Sequence, residues 1–120
     1  MSLWDTQRAR RGIRRSIMTT IERIQEWYSN QCDGDWEHTW GIKIDTLDNP
    51  GWIVKIDLIE TELQDIPFPP IRKGMPDDQP SNTDWLCCSV ENNVFDGAGD
   101  QSKLEAILQA FLDWKDSTNN

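Results

Sequence analysis

The chain has 120 residues, which is the usual size of one folded domain. It carries 21 acidic and 12 basic residues, a net charge of -9, so nucleic acids and anionic membrane surfaces would repel it. A basic protein is the kind of partner that this charge favours.

The cysteine and histidine content argues against a disulfide framework and against a zinc site. Cys32, Cys87 and Cys88 are an odd number without C-x-x-C spacing, and the chain has one histidine. No apolar run has the length of a membrane span, and the N-terminus lacks the apolar region of a secretory signal. The sequence therefore predicts a cytoplasmic protein with reduced thiols, no cofactor and no metal.

The first 17 residues differ in charge from the rest of the chain. They hold five of the twelve basic residues, all arginine, against one acid, Asp5. We predict an arginine-rich leader at 1–17 that is foreign to the natural domain, and a single domain at 18–117.

A first helix is predicted immediately after this leader. Thr19 and Glu22 have the spacing of a capping box, which indicates a helix that begins at this point. A second interpretation remains open, in which one longer helix carries a continuous apolar stripe made of Ile13, Ile17, Ile21, Ile24 and Tyr28.

A β-hairpin is predicted next, because apolar residues alternate along WEHTWGIKID from Trp36 and again along WIVKIDLIE. In the turn between them, Pro50 fixes φ and Gly51 is free to adopt a positive φ. If Ile44 faces Val54, the even-numbered residues of both strands form one apolar face.

The second half of the chain predicts shorter strands and a final helix. Five of the six prolines fall within IPFPPIRKGMPDDQPSN, which limits residues 67–72 to a short edge strand. TDWLCCSV and NVFDG predict two more strands, and Ser102 and Glu105 give a capping box for an amphipathic last helix. The predicted fold class is α+β, with an N-terminal helix, an antiparallel meander of four or five strands, and a C-terminal helix packed on the sheet.

Residues 32–38 hold the densest group of possible ligands. A metal site or a small metal-dependent hydrolase would use Asp33, Asp35, Glu37 and His38. The simpler interpretation is a helix-to-strand connection in which Gly34 adopts a backbone conformation that other residues avoid. On the predicted strand, His38 lies between two tryptophans, so we expect it to be packed or partly buried.

Seven tryptophans are more than usual for this length. Periodicity assigns four of them to the core, namely Trp40, Trp52, Trp85 and Trp114. Trp27 and Trp36 lie at element ends beside carboxylates, so we expect these two at the rim of a binding surface.

The segment from Met18 to Trp114 resembles the immunity protein 53 family of bacterial polymorphic toxin systems. The resemblance is carried by WYSNQCDGDWEHTWGIKIDTLDNPGW, by the following VKIDL, by the DW pair at 84–85 and by FDGAGD before the last helix. It implies a small α+β protein, encoded beside a secreted toxin, that binds the toxin domain without turnover and protects the cell. The arginine-rich leader departs from the pattern, so the resemblance assigns it no function.

The leading prediction is an immunity protein that occludes its cognate toxin with an acidic, tryptophan-bearing surface. The predicted partner-binding residues are Trp27, Asp33, Asp35, Trp36, Glu37 and His38. We expect a monomer or a weak homodimer that binds neither nucleic acid nor membrane. The alternatives are the small hydrolase described above and a scaffold subunit that only oligomerises.

Overall fold

A computed structural model describes residues 17–75 and 83–118 and confirms the α+β class. Along the sequence, one main helix precedes the strands of a five-stranded antiparallel sheet and a second main helix follows them. In chain order the elements are α1 (Thr20–Gln31), α2 (Trp36–Thr39), β1 (Ile42–Leu47), β2 (Gly51–Asp57), β3 (Ile71–Lys73), β4 (Leu86–Glu91), β5 (Val94–Gly99) and α3 (Leu104–Ser117).

The strand order is β1-β2-β5-β4-β3, which departs from a simple meander at one connection. After β2 the chain crosses to the opposite edge of the sheet. There the proline-rich segment leads into β3, an edge strand of three residues. The predicted hairpin register is confirmed, because Ile44 lies opposite Val54 and Ile42 lies opposite Ile56.

The core lies between one face of the sheet and the two main helices. Helix α3 contacts β2, β4 and β5, and α1 packs against α3. Phe95 of β5 and Phe111 of α3 are fully buried and meet edge to face, with ring centroids 5.4 Å apart. Aromatic and aliphatic burial between these layers is the main stabilising term of the fold.

The two predicted capping boxes have different outcomes. At α1 the box is present, because Glu22 N donates to Thr19 Oγ1 and Thr19 N donates to Glu22 Oε1. At α3 the prediction is wrong, since the N-cap is Lys103 and its side chain makes no cap hydrogen bond. Ser102 instead donates from its backbone N and its Oγ to Asp100 Oδ1.

The role predicted for Gly51 is also wrong, because its φ is not among the positive values. Gly51 is required by close packing instead. A Cβ at this position would lie 2.3 Å from the carbonyl oxygen of Gly99, which belongs to β5.

The predicted leader lies almost entirely outside the described residues, which begin at Ile17. The domain boundary at Met18 therefore stays a prediction. Ile17 and Ile21 are exposed, whereas Ile24 is buried. No helix among the residues that the structure describes is long and apolar enough to cross a membrane.

Candidate functional site

Trp27 anchors the C-terminal half of α1 in the core. Its side chain is 3% exposed, and its ring meets Phe111 with centroids 5.0 Å apart. Its indole Nε1 donates to Glu62 Oε2 at 2.7 Å, and Gln31 Nε2 donates to the other carboxylate oxygen at 3.1 Å. The prediction that Trp27 lies at an exposed rim is wrong, because the ring is enclosed and only its partner carboxylate reaches the surface.

The loop after α1 is organised by two carboxylates that bind backbone amides. Asp33 Oδ1 accepts from the backbone N of Asp35 and of Trp36, each at 2.9 Å. Glu37 accepts in return from Asp33 N at 3.0 Å and from Gly34 N at 2.9 Å. Gly34 has a φ of +96°, which only glycine adopts easily. These bonds cap the first turn of α2 and hold the loop in one conformation.

The same bonds affect the ionisation of Asp33. Hydrogen bonds from the backbone N–H groups of Trp36 and Asp35 stabilise the carboxylate and lower the pKa of Asp33 below its ordinary value. Asp35 is exposed, and no side-chain cap bond is formed by its carboxylate. The loop therefore presents two negative charges to solvent.

The predicted strand from Trp36 is wrong, because residues 36–39 form one helical turn and β1 begins only at Ile42. Trp36 is 2% exposed, and its Nε1 donates to the carbonyl oxygen of Ile59 at 2.9 Å. Its ring also meets Trp27 edge to face at 6.2 Å. Trp36 is a buried anchor, so its predicted place at a rim is wrong as well.

His38 is exposed on this helical turn, so the prediction of a packed or partly buried histidine is wrong. It lines an open groove of about 500 Å³ together with residues of α1, α2 and the start of β1. Glu37, Tyr28 and Lys43 are among the other lining residues. Within residues 17–75 and 83–118, no group of three or more His, Cys, Asp or Glu side chains is placed to hold a metal ion.

The segment after β2 adds two acidic residues, Glu60 and Glu62, beside the loop that carries Asp33 and Asp35. The sequence analysis did not identify these two acids. The bond from Trp36 to Ile59 and the bond from Trp27 to Glu62 bring residues 59–62 against α1 and α2. Glu60 and Glu62 are both exposed. We call the resulting patch the acidic surface and define it as Asp33, Asp35, Glu37, Glu60 and Glu62.

The chain segments that form the acidic surface contain no lysine or arginine. None occurs between Arg23 and Lys43, and none occurs between Lys55 and Arg72. These two stretches contain eight carboxylates, so the negative potential there is not offset by neighbours along the chain. This absence of basic residues was the sequence signal that could have identified the second segment.

The three cysteines are free thiols and are not members of the acidic surface. Cys87 and Cys88 are neighbours on β4 and so point to opposite faces of the sheet, with Cys88 buried and Cys87 partly exposed. Burial raises the pKa of the Cys88 thiol to about 12, which keeps it protonated. Cys32 Sγ donates to the carbonyl oxygen of Tyr28 at 3.3 Å.

Comparison with protein families matches residues 21–116 to the family described as Immunity protein 53. No curated protein and no solved structure gives a match. The family match begins within α1, ends within α3 and includes every residue of the acidic surface. Because it covers most of the chain, this protein belongs to the Immunity protein 53 family.

Proposed function

We propose that this protein binds a cognate toxin domain and neutralises it by covering the toxin's active site. The observation that carries the proposal is the family match over residues 21–116, since an immunity protein acts by inhibition. The net charge of -9 supports a basic toxin surface as the partner.

We propose the acidic surface, together with His38, as the part that contacts the toxin. Asp33, Asp35, Glu37 and His38 are on α2 or the loop before it, and none is buried. Asp35 and Glu60 are available for a partner, because no side-chain hydrogen bond occupies either carboxylate within the described part of the chain. These two residues are the ones that we expect to contact basic side chains of the toxin.

Trp27 and Trp36 are buried beneath the acidic surface and support it through hydrogen bonds. Their indole N–H groups hold Glu62 and the Ile59 carbonyl in place, so the acids are presented on a rigid base. A preformed surface loses less conformational entropy on binding than a mobile one. We therefore assign these tryptophans a positioning role, and direct contact with the toxin to the carboxylates.

Binding kinetics with the C-terminal domain of the toxin encoded beside the gene test this proposal. The double variant Asp35→Asn with Glu60→Gln should lower the association rate about tenfold at low salt, and the difference should shrink as salt screens the charges. Each substitution removes an exposed charge that holds no structural bond, so the melting temperature should be unchanged.

Asp48→Asn with Asp113→Asn provides a control with the same change in net charge. Asp48 lies in the hairpin turn at the far end of β1, and Asp113 is exposed on α3. Six residues of strand separate Asp48 from α2 by roughly 20 Å. Equal slowing by the control pair would assign the effect to overall charge and would refute the acidic surface as the contact.

No observation favours the hydrolase alternative. Asp33 Oδ1 and both carboxylate oxygens of Glu37 accept hydrogen bonds from backbone amides of their own loop. A general base has to reach a substrate proton, and these two groups are already used for structure.

A further inference from the structure

Among residues 17–75 and 83–118, strand β1 is an open edge of the sheet. It pairs with β2 on one side, and β2 pairs with β5 on its other side. Asp57 N donates to Gly41 O at 3.0 Å, so in this antiparallel ladder the odd-numbered residues of β1 direct their backbone groups towards β2. The even-numbered residues Ile42, Ile44 and Thr46 therefore direct their N–H and C=O groups away from the sheet.

The side chains of β1 are also incompletely covered. Ile44 belongs to the face on which the helices pack, yet it is 45% exposed. Among the strands, the main contacts of helix α3 are with β2, β4 and β5, so within the described residues α3 leaves this edge largely uncovered. An exposed edge strand with an exposed isoleucine is a template for pairing with another strand.

The sequence of β1 is complementary to itself in one antiparallel register. If two copies pair about a two-fold axis through Ile44, then Lys43 of each copy lies opposite Asp45 of the other. Ile42 lies opposite Thr46, and the two Ile44 side chains meet. Directly opposite unlike charges stabilise a strand pair, whereas a register centred on Lys43 or on Asp45 would oppose like charges.

Backbone geometry agrees with the same register. Centring on Ile44 pairs the even-numbered residues with one another, and these are the residues whose amides point outwards. One of these amides already has a local acceptor, since Thr46 N donates to Asp45 Oδ1 at 2.8 Å. Pairing would transfer that N–H to a carbonyl of the second copy and release Asp45 towards Lys43 of that copy.

We propose that this chain forms a homodimer by antiparallel pairing of β1 with β1 of a second copy, centred on Ile44. The product is one continuous ten-stranded sheet with the helices of both copies on the same face. A contact confined to one short strand of each copy is small, so we expect a weak dimer. The proposal goes beyond toxin binding, and its test needs no toxin.

Sedimentation of the full chain over a range of concentrations tests the register. Lys43→Glu and Asp45→Lys should each raise the dimer dissociation constant by about tenfold, because each places like charges opposite one another at two symmetric positions. An equimolar mixture of the two variants should restore dimerisation to within about threefold of the wild type. In the mixed dimer each substituted position faces an opposite charge.

Control variants separate pairing from general effects of charge. Lys73→Glu makes the same change of net charge on the opposite edge strand, β3, and should leave the dissociation constant unchanged. Ile44→Lys should abolish the dimer. Ile21→Lys should not, although Ile21 is an equally apolar side chain that is 53% exposed on α1.

Two results would overturn the proposal. One is a wild-type chain that stays monomeric at every accessible concentration. Another is a mixture of Lys43→Glu and Asp45→Lys that associates no better than either variant alone. If the wild type is monomeric, a loss of toxin binding in Ile44→Lys would assign this edge to a strand of the toxin instead.

Discussion

Replacing Trp36 by alanine should destabilise the domain by about 3 to 5 kcal/mol, the usual cost of deleting a large buried aromatic side chain. The ring is 2% exposed, and it meets Trp27 at 6.2 Å and Tyr28 at 6.1 Å. Its indole N–H is also the hydrogen-bond partner of the Ile59 carbonyl. This loss is a large fraction of the 5 to 15 kcal/mol that typically stabilises a domain.

Urea unfolding at constant temperature measures this cost, since the midpoint falls while the slope stays constant if only stability changes. Trp36→Phe should lie between alanine and wild type, at about 1 to 3 kcal/mol, because it keeps most of the ring burial and loses the bond to Ile59. Trp52→Ala is a matched control. Trp52 is half-buried and also donates to a backbone carbonyl, that of Gln101, so its loss should cost about 1 to 2 kcal/mol.

A result near zero for Trp36→Ala would refute this reasoning. A tryptophan at an exposed rim would cost less than about 1 kcal/mol in stability and would show its effect only in toxin binding. If Trp36→Ala were no more costly than Trp52→Ala, the indole could not be the buried anchor of the acidic surface.

Three further predictions concern the helix caps, the buried acid and the thiols. Thr19→Ala should cost about 1 kcal/mol in urea unfolding, whereas Glu105→Ala, at the capping box that the structure lacks, should cost less than about 0.5 kcal/mol; equal costs would contradict the cap assignments. The Lys103 ammonium and then Ser102 lower the pKa of Asp100, so the stability from this carboxylate is complete above about pH 4 and is lost as the pH falls. The difference in melting temperature between wild type and Asp100→Asn should therefore shrink progressively as the pH falls below about 4, and a constant difference would contradict the assignment. Iodoacetamide at pH 8 should label Cys88 only after unfolding, which mass spectrometry can follow, and rapid labelling of the native protein would contradict its burial.

The sequence predicted the hairpin register because the two-residue period determines which residues share the buried face, and the position of the turn then selects the pairing. It failed one segment earlier, where alternation along WEHTWGI also fits a single helical turn followed by an extended residue. The deciding interactions there are the cap from Asp33 and the bond from Trp36 to Ile59, 23 residues away. Local periodicity contains no information about such a distant partner.

The candidate site shows the same division between local and distant information. Asp33, Asp35 and Glu37 were identifiable from charge and turn chemistry, and all three are solvent-accessible in the fold. The burial of Trp27 and Trp36 was not identifiable from the sequence. It depends on hydrogen bonds from their indole N–H groups to the distant segment 59–62. That same packing adds Glu60 and Glu62, which no local pattern connects with α2.

The most direct measurement for the central claim is the survival of cells that express the neighbouring toxin domain together with this protein. The wild type should restore growth, and Asp35→Lys with Glu60→Lys should fail to do so at equal protein levels. Asp48→Lys with Asp113→Lys makes the same change in charge elsewhere and should still protect. Full protection by the Asp35 and Glu60 double variant would contradict the role of the acidic surface, and no protection by the wild type would contradict the immunity function.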